Sequence, residues 1–343
     1  MIIGNHDTDK AVFIIAELSA NHNQEFNVAR DAIKIAHEAG CDAIKFQTYT
    51  ADSLTLNIKE DKFKAGDLWS NEYLYDLYER AAMPYAWYAP LKAYADELGI
   101  LLFSSPFDHE AVNVLERIDV PAYKIASFEI TDIPLIRYVA SKQKPIIISS
   151  GIANIEDIEL AILTCKEVGN ETIALLKCTS AYPATPESMN LLTLTDMRNR
   201  FGCEVGLSDH TMGIEAIVAS IALGARIIEK HFTPDETLDT PDKAFSLTPS
   251  ELQTMVTSIR KTEAMIGIVT YEDKNKTYAR SLYVSHDIQK GEPLTQENVK
   301  SIRPGDGLHP KYYEDVLGKI AIRNIKAGTP LSQTLIDWKP KAQ

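Results

Sequence analysis

Two histidines, His210 and His231, each follow a short apolar run of the kind that forms a buried strand. Neutral imidazole is the commonest side-chain ligand of divalent catalytic metals, and two such ligands leave coordination positions for water and substrate. For either residue alone, a hydrogen-bonded structural histidine is the alternative. As a pair they predict a divalent metal site, and their spacing matches no zinc-protease pattern such as H-E-x-x-H.

Three lysines, Lys45, Lys124 and Lys230, stand at the ends of similar runs. Most lysines extend to solvent, but three at matching positions in an acidic chain favour an anionic substrate. Hydroxyl groups that could donate hydrogen bonds to phosphate oxygens occupy comparable places, at Ser105, Ser127, Ser149, Ser180 and Ser208. Glu17 ends the first run, where a buried carboxylate is costly unless paired. It either pairs with a lysine such as Lys45 or acts as an acid–base or substrate-binding group.

These residues need elements that bring them together, and the first 265 or so residues alternate apolar runs with helical patterns. The runs predict strands at Val12–Ala16, Ala43–Phe46, Ile100–Phe103, Ala122–Ile125, Pro145–Ile148, Ile173–Lys177, Glu204–Leu207 and Arg226–Ile228. The intervening patterns predict helices at Asn27–Ala39, Glu72–Leu98, His109–Arg117, Asp132–Ser141, Ile155–Val168, Glu187–Arg200, Gly213–Leu223 and Pro249–Met265. Eight alternations predict an α/β fold of the (β/α)8 TIM-barrel type, in which polar strand ends meet at one face. A doubly wound sheet is the alternative, but it gives no reason for the number eight.

The last part of the chain has a different pattern. Residues 287–294 resemble residues 324–331 at an offset of 37 residues (325 − 288), and each copy reads as a strand, a glycine turn and Pro-Leu. Two copies predict a small β-rich domain with internal pseudo-symmetry. We therefore expect a catalytic barrel at 1–267, a polar linker at 268–280 and a second domain at 281–343.

The composition excludes several classes of protein. Hydrophobic residues make up 45% of the 343 residues and charged residues 24%, as in ordinary globular proteins. A net charge of −13 disfavours nucleic acid and anionic membranes as partners. The early apolar run Ala11–Ala16 is too short for a signal peptide or a membrane helix. Four cysteines without C-x-x-C spacing indicate neither a disulfide framework nor structural zinc, so we expect a cytoplasmic protein.

Taken in order, the motifs resemble those of the bacterial sialic acid synthases, the NeuB family. The matching segments are Ile15–Glu17, Lys45–Gln47, Ser104–Phe107, Lys124–Ser127, Cys178–Pro183, Gly206–His210 and Glu229–Phe232. The segments Arg303–Leu308 and Leu317–Lys319 resemble the antifreeze-like (SAF) domain that follows the barrel in that family. The resemblance covers nearly the whole chain and implies a TIM barrel followed by a β-rich SAF domain.

The resemblance implies that phosphoenolpyruvate condenses with the open-chain aldehyde of an N-acetylated amino sugar, giving phosphate and a nine-carbon 2-keto acid. It assigns His210 and His231 to a divalent ion, Mn²⁺ first, with Mg²⁺ or Co²⁺ as alternatives. It assigns the phosphoenolpyruvate site to Lys45, Lys124 and the five serines, and sugar binding or proton transfer to Glu17, Gln47, Glu129, Tyr182 and Asp242. It also implies a domain-swapped homodimer in which Arg303 of one subunit closes the site of its partner.

One branch of the family shares the N-terminal run from Ile3 to His22 and implies 2,4-diacetamido-2,4,6-trideoxy-β-L-altrose as acceptor. N-acetylmannosamine and the legionaminic acid precursor are the alternative acceptors. Two other classes of function remain open, a Schiff-base aldolase with Lys124 as nucleophile and a carbohydrate- or ice-binding module on an inactive barrel. Asn23-Gln24 stands where the family usually has a glycine two residues after the histidine, so the sequence leaves the conformation of residues 21–24 open.

Overall fold

Eight parallel strands close into a barrel within the first 267 residues. The computed structural model describes residues 1–66, 69–70, 72–271 and 274–338. The strands are β1 Phe13–Glu17, β2 Ala43–Thr48, β3 Leu101–Pro106, β4 Tyr123–Ile125, β5 Ile146–Ser149, β6 Ile173–Cys178, β7 Glu204–Asp209 and β8 Ile227–His231. They neighbour one another in chain order, and β8 pairs with β1 to close the barrel, with His231 opposite Glu17. The predicted TIM barrel is therefore confirmed.

Several strands extend further toward their carboxyl ends than the sequence predicts. β2 continues through Gln47 to Thr48, where Gln47 stands opposite Ser105 of β3. β8 continues to His231. The polar residues predicted to follow the strands thus belong partly to the strands themselves, because parallel pairing with a neighbouring strand fixes their backbone. Their side chains are held by the barrel and not by flexible turns.

The helices between the strands show the expected start and stop signals. Thr248 and Glu251 form a capping box around Pro249 at the start of the last barrel helix, and Gly99 ends another at φ 80°. The helices are Phe26–Glu38, Ala51–Leu54, Leu74–Ala81, Tyr88–Leu98, His109–Arg117, Ile133–Ala140, Ile155–Glu167, Thr193–Phe201, Glu215–Ala222 and Pro249–Ile266. Single 3-10 turns lie at Ser19–His22, Asp61–Phe63, Tyr85–Trp87, Ser127–Glu129, Pro186–Ser188 and Lys243–Phe245.

Two predicted helices are wrong in extent. The single helix expected over Glu72–Leu98 is two helices, because the chain is extended at Ala82, just before Pro84. Proline has no N–H and restricts the residue before it, which ends a helix there. The helix expected from Glu187 begins only at Thr193, since Asn190 adopts a left-handed φ of 43° that no α-helix accommodates.

The N-terminal residues form a short antiparallel hairpin, Ile2–Ile3 with His6–Asp7, which the sequence does not predict. The apolar core of the barrel consists of strand and helix residues such as Phe13, Ile44 and Leu102, all fully buried. Among the described residues, no helix combines the length and apolar character needed to cross a bilayer.

A second compact unit, Ile268–Gln343, has its own apolar core, which includes Leu282, Val299 and Leu331. Its strands β9 Ser281–Val284 and β10 Val299–Ile302 are antiparallel, and it has a short helix, Tyr313–Val316, with 3-10 turns at Pro310–Tyr312 and Gln333–Leu335. In the predicted linker 268–280, residues 272 and 273 lie outside the described residues, as do 339–343 of the predicted second domain.

The two copies of the internal repeat contact each other. Ile288 and Ile325 exchange backbone hydrogen bonds of 2.9 and 2.8 Å, and Gly291 and Gly328 occupy matching turns at φ 90° and 84°. The expectation of a regular strand in each copy is wrong. The two copies pair through the isolated bridge between Ile288 and Ile325, and neither copy contains a described strand.

Candidate active site

The carboxyl ends of the barrel strands open into a cavity of about 370 Å³. Most residues singled out in the sequence line it. They are Glu17, Lys45, Gln47, Lys124, Ser127, Glu129, Ser149, Ser180, Tyr182, Ser208, His210, His231 and Asp242. The structure therefore brings together residues that lie up to 225 positions apart (242 − 17). Ser105 is fully buried and contacts the site through Lys45, whose Nζ lies 3.3 Å from the Ser105 hydroxyl.

Lys230 does not belong to this group, so the prediction of three cations around one rim is wrong. Side chains alternate across a strand, and β8 directs Glu229 and His231 into the cavity while Lys230 faces the other side. Lys230 is fully buried there, pairs with Asp209 at 2.7 Å and donates a hydrogen bond to the Thr211 carbonyl.

Glu229 is the site residue that reasoning from the sequence overlooked. It is buried, accepts a hydrogen bond from Ser208 at 3.3 Å, and its Oε1 lies 3.7 Å from Lys45 Nζ and 3.9 Å from Lys124 Nζ. The signal was present, because Glu229 is two residues before His231 on one strand and must share its face. We call Glu17, Lys45, Lys124, His210, Glu229 and His231 the charged floor.

The ionisable groups of the floor shift one another's pKa values. Burial alone would lower the pKa of Lys45, but Glu17, 2.7 Å away, and Glu229 outweigh it and raise that pKa. Burial would raise the pKa of Glu229, but Lys124 and Lys45 lower it. Burial dominates for the other two groups, raising the pKa of Glu17 and lowering that of Lys124. A bound dianion would relieve the burial penalty of Lys124, as expected of an anion site.

Three serine hydroxyls line the same cavity as Lys124. Its Nζ donates to the Ser149 hydroxyl at 2.6 Å, and the hydroxyls of Ser127 and Ser180 are 2.7 Å apart. Gly151 lies directly against those two serines, and a Cβ atom there would clash with Ser180 Oγ. Three hydroxyls in one cavity with a buried ammonium, one of them bonded to it, are suited to binding phosphate or carboxylate oxygens.

The two histidines face each other, with ring centroids 5.3 Å apart. His210 Nδ1 lies 2.9 Å from the Thr179 carbonyl, so the neutral tautomer that donates to this carbonyl keeps a lone pair on Nε2. Burial alone would lower the pKa of His210, but Cys178, whose Sγ lies 3.9 Å from Nδ1, outweighs it and raises that pKa. Burial, and then the neighbouring His210, lowers the pKa of His231 well below its usual range. His231 Nδ1 has no hydrogen-bond partner among the described residues, and its nearest carboxylate oxygen, on Asp242, is 3.7 Å away.

These imidazoles fit a divalent metal ion, since one keeps an unshared lone pair and the other is held neutral with an orphaned buried nitrogen. No group of three or more His, Cys, Asp or Glu side chains is arranged for a metal within the described part of the chain. An ion here would thus have two imidazole ligands, and water or substrate would fill the remaining positions.

Beside the floor lie the residues expected to hold a sugar. Gln47 donates to Glu17 at 2.9 Å and to Ser19 at 2.8 Å. The Tyr182 ring packs 4.4 Å from the ring of His210. Burial raises the pKa of Asp242, and it raises the pKa of Glu129 to about 7 despite the charge of Lys124.

The connection after β2, together with residues just after β3 and β4, forms another side of the cavity, at which the aromatic residues after β2 only hint in the sequence. We call Leu54, Leu74, Leu77, Phe107 and Phe128, which line this side, the apolar wall. Beside it lies a separate small core of Ala20, Tyr49 and Ala81, which also line the cavity and against which Leu54 and Phe107 pack. Trp69 also lines the cavity and donates a hydrogen bond to the Pro241 carbonyl at 3.1 Å, joining this connection to the one after β8.

The loop after β1 anchors the end of the wall helix Leu74–Ala81. Asn23 and Gln24 adopt left-handed φ values of 50° and 56°, which settles the conformation that the sequence left open. The Gln24 amide donates to the carbonyls of Arg80 and Ala82 at 3.1 and 2.5 Å. His22 Nε2 lies 3.1 Å from the Ala81 carbonyl, and burial lowers the pKa of His22 to about 4, so the ring is neutral and donates.

The second unit contains Arg303, which is exposed on the loop that directly follows β10. Its expected role requires a partner subunit, so it is considered below as a proposal.

Residues 32–271 match the model of the NeuB family, and residues 279–336 match that of the SAF domain. The chain therefore belongs to the NeuB family, as its motifs predict. The pseudaminic acid synthase of Campylobacter jejuni is 49% identical over 339 residues, which cover 97% of this chain and 99% of that protein. This match confirms the branch indicated by the N-terminal run, which is that of the pseudaminic acid synthases.

Two further comparisons set that match in context. The N,N'-diacetyllegionaminic acid synthase of the same organism is 36% identical, covering 92% of this chain and 98% of that protein. The crystal structure of the spore coat polysaccharide biosynthesis protein spsE of Bacillus subtilis superimposes with a TM-score of 0.68 at 34% identity, covering 99% of each chain.

Proposed function

We propose that this chain condenses phosphoenolpyruvate with 2,4-diacetamido-2,4,6-trideoxy-β-L-altrose and water, giving pseudaminic acid and phosphate. The observation that carries the proposal is the charged floor, where a hydroxyl-lined ammonium stands in one cavity with two facing imidazoles. An anion site beside a candidate metal site suits the addition of an enol phosphate to an aldehyde. The 49% identity to a pseudaminic acid synthase, against 36% to a legionaminic acid synthase, supports this acceptor.

Phosphoenolpyruvate binds through the two floor lysines. Lys124 and the hydroxyls of Ser127, Ser149 and Ser180 hold one end of the dianion. Lys45 holds the other end, with Ser105 orienting its ammonium and Ser208 orienting Glu229 between the two lysines. Bringing the reactants together in a fixed geometry removes a large entropic part of the barrier.

The reaction needs one proton at the aldehyde oxygen. Water, which supplies the C2 keto oxygen, loses both of its protons, and the second, from the C2 hydroxyl, leaves with the phosphate. C3 of phosphoenolpyruvate attacks the aldehyde carbon, water adds at C2, and phosphate leaves with cleavage of its C–O bond. Glu17 can take a proton from water and give one to the aldehyde oxygen. Burial raises its pKa and favours the protonated form, while Lys45, 2.7 Å away, stabilises the carboxylate form. A divalent ion, Mn²⁺ in preference to Mg²⁺ or Co²⁺, bound by His210 and His231 would polarise the aldehyde oxygen.

The sugar is held by Gln47, Glu129, Tyr182 and Asp242, which line the same cavity. In a domain-swapped homodimer, Arg303 of the partner subunit would grip an acetamido carbonyl with its fork of donors. Mixing Arg303→Ala subunits with His210→Ala subunits should then restore activity, since one mixed site carries neither defect. Confirmed subunit exchange without restored activity would contradict a role for Arg303 in trans.

Phosphate release from phosphoenolpyruvate, measured against a panel of acceptors, tests the proposed function. We expect the highest kcat/KM with the trideoxy altrose, and much lower values with N-acetylmannosamine and the legionaminic acid precursor. A preference for either of the latter would transfer the assignment to that acceptor.

The four cysteines are all free thiols, which supports a reducing compartment such as the cytoplasm as the place of the reaction.

A Schiff-base aldolase remains the second candidate, because burial lowers the pKa of Lys124 as in imine-forming lysines. Borohydride in the presence of substrate would trap a covalent adduct on Lys124 if this reading were correct. We expect no adduct by mass spectrometry.

A further inference from the structure

The two sides of the cavity differ in the chemistry they offer an acceptor. The charged floor is built from strand ends, where side chains can polarise an aldehyde and hold an anion. The apolar wall is built from the connections after β2, β3 and β4, and its Leu and Phe side chains offer no hydrogen bond. Because both sets of residues line one cavity of about 370 Å³, an acceptor whose aldehyde carbon faces the floor can place some of its remaining atoms against the wall.

Polar and apolar groups of a sugar would differ in the free energy of contact with the wall. A hydroxyl group pressed against leucine side chains loses its hydrogen bonds to water and gains none, which costs free energy. A methyl group at the same place buries apolar surface and is favoured. Most sugars carry hydroxyls on every carbon, whereas deoxygenated and N-acetylated sugars present methyl groups.

We propose that Leu54, Leu74 and Phe128 of the apolar wall determine acceptor specificity by accepting the methyl group of a terminally deoxygenated acetamido sugar and rejecting its hydroxylated counterpart. The inference rests on the proposed function and assigns to this side of the cavity the recognition of the missing hydroxyl. Leu54 and Leu74 are half-buried, whereas Phe128 is 56% exposed at the cavity, so surface remains available to a ligand.

The wall is also held firmly enough to discriminate. The small core of Ala20, Tyr49 and Ala81 supports it, with the Tyr49 and Phe107 rings packed edge to face at 5.2 Å. Gln24 and His22 bind the carboxyl end of the wall helix. A specificity surface needs such support, because a loose wall would move aside and admit a hydroxyl.

The test compares two acceptors that differ in one atom, the trideoxy diacetamido altrose and the same sugar with a hydroxyl at C6. Pockets that read one apolar group discriminate by roughly 10- to 200-fold. We expect Leu54→Ser and Leu74→Ser each to lower the ratio of kcat/KM values for the two acceptors by about tenfold, while KM for phosphoenolpyruvate stays unchanged. Leu54→Met, which keeps an apolar side chain, should retain the wild-type ratio.

Leu56→Ser is the matched control, since Leu56 lies two residues from Leu54, is 59% exposed and is absent from the cavity lining among the described residues. An unchanged ratio in both Leu54→Ser and Leu74→Ser, with thermal stability equal to that of the control, would overturn the inference. A wild-type enzyme that discriminates poorly between the two acceptors would overturn it as well. A wild type that releases no phosphate with any acceptor would instead overturn the proposed function, and the inference with it.

Discussion

The charged floor and the apolar wall share one cavity but are stabilised in opposite ways. In the floor, buried charges are held by partners on other strands, as when Lys45 of β2 pairs with Glu17 of β1 at 2.7 Å. In the wall, apolar side chains from connections pack on a small separate core, and hydrogen bonds at the end of the wall helix and from Trp69 to Pro241 support those connections.

The difference bears on how each region tolerates change. Removing one member of a buried charge network leaves the others unpaired, so errors in the floor are costly. The wall carries no charge, and replacing one of its side chains changes contact area and shape without leaving a buried ion. Chemistry common to the family is therefore expected in the floor, whereas acceptor choice is free to vary in the wall. The predictions below test that division.

The largest effect should follow from removing a divalent ion from the floor. If His210 and His231 share one ion, chelation should abolish phosphate release, and added Mn²⁺ should restore it. His231→Ala should lose Mn²⁺ binding measured by calorimetry while keeping its melting temperature within a few degrees. Full turnover by chelator-treated, metal-free enzyme would contradict the metal role.

Two buried lysines of the barrel strands allow a test that distinguishes a loss of binding from a loss of stability. Lys124 lines the cavity, whereas Lys230 pairs with Asp209 outside it. Lys124→Met should weaken phosphoenolpyruvate binding by about 1.5–3 kcal/mol, a factor of roughly 10 to 150, because a charged contact is lost. Lys230→Met leaves Asp209 buried without its partner and should destabilise the fold, with little change in affinity for phosphoenolpyruvate. Calorimetry and urea unfolding on both variants measure the two effects, and equal losses of affinity would contradict the assignment.

The same contrast explains what could be predicted from the sequence. Residues such as Lys45 and His231 belong to strands, and strands carry a strong apolar pattern that places their carboxyl ends at one face. The error at Lys230 and the omission of Glu229 arose from treating strand ends as a group without applying the alternation of side chains.

The positions of the wall residues could not be predicted from the strand pattern. Leu54 and Leu74 lie in a connection whose path depends on the break at Pro84 and on the left-handed turn at Asn23 and Gln24. Neither feature follows from periodicity. The partnership of Gln24 with the carbonyls of residues 80 and 82 is a tertiary contact between segments more than 50 residues apart.

Glu129 stands where the floor meets the wall, and its titration should affect stability. Its pKa is raised from the ordinary 4.5 to about 7 because of burial, so between these values the folded state keeps a proton that the unfolded state has lost. The contribution of Glu129 to stability should therefore fall as pH rises from 4.5 to 7 and remain lost above pH 7.

Glu129→Gln should remove this loss and be more stable than the wild type at pH 8 by about 1–3 kcal/mol, with little difference near pH 4. Urea unfolding at both pH values measures it. The exposed Glu187→Gln serves as the control and should follow the wild type. A Glu129→Gln variant with the same pH dependence as the wild type would show that Glu129 ionises normally.

The smallest effect should come from Gln24, which supports the wall from outside the cavity. Its left-handed backbone costs about 1 kcal/mol for a residue with a side chain, while the hydrogen bonds of its amide contribute about as much. Gln24→Ala keeps the backbone strain and loses the hydrogen bonds, so it should be destabilised by about 1 kcal/mol. Gln24→Gly loses both, so its stability should lie close to that of the wild type. Both variants remove the Gln24 contacts to the end of the wall helix and leave only the contact of His22 there, so both should raise KM for the sugar about two- to threefold and leave KM for phosphoenolpyruvate unchanged. Asn23→Gly relieves similar strain at the neighbouring residue and leaves the Gln24 amide in place, so it should not change KM for the sugar.

If the Gly and Ala variants at position 24 unfold at the same urea concentration, the backbone there is not strained. If neither variant changes KM for the sugar, the position of the wall does not depend on the hydrogen bonds of Gln24.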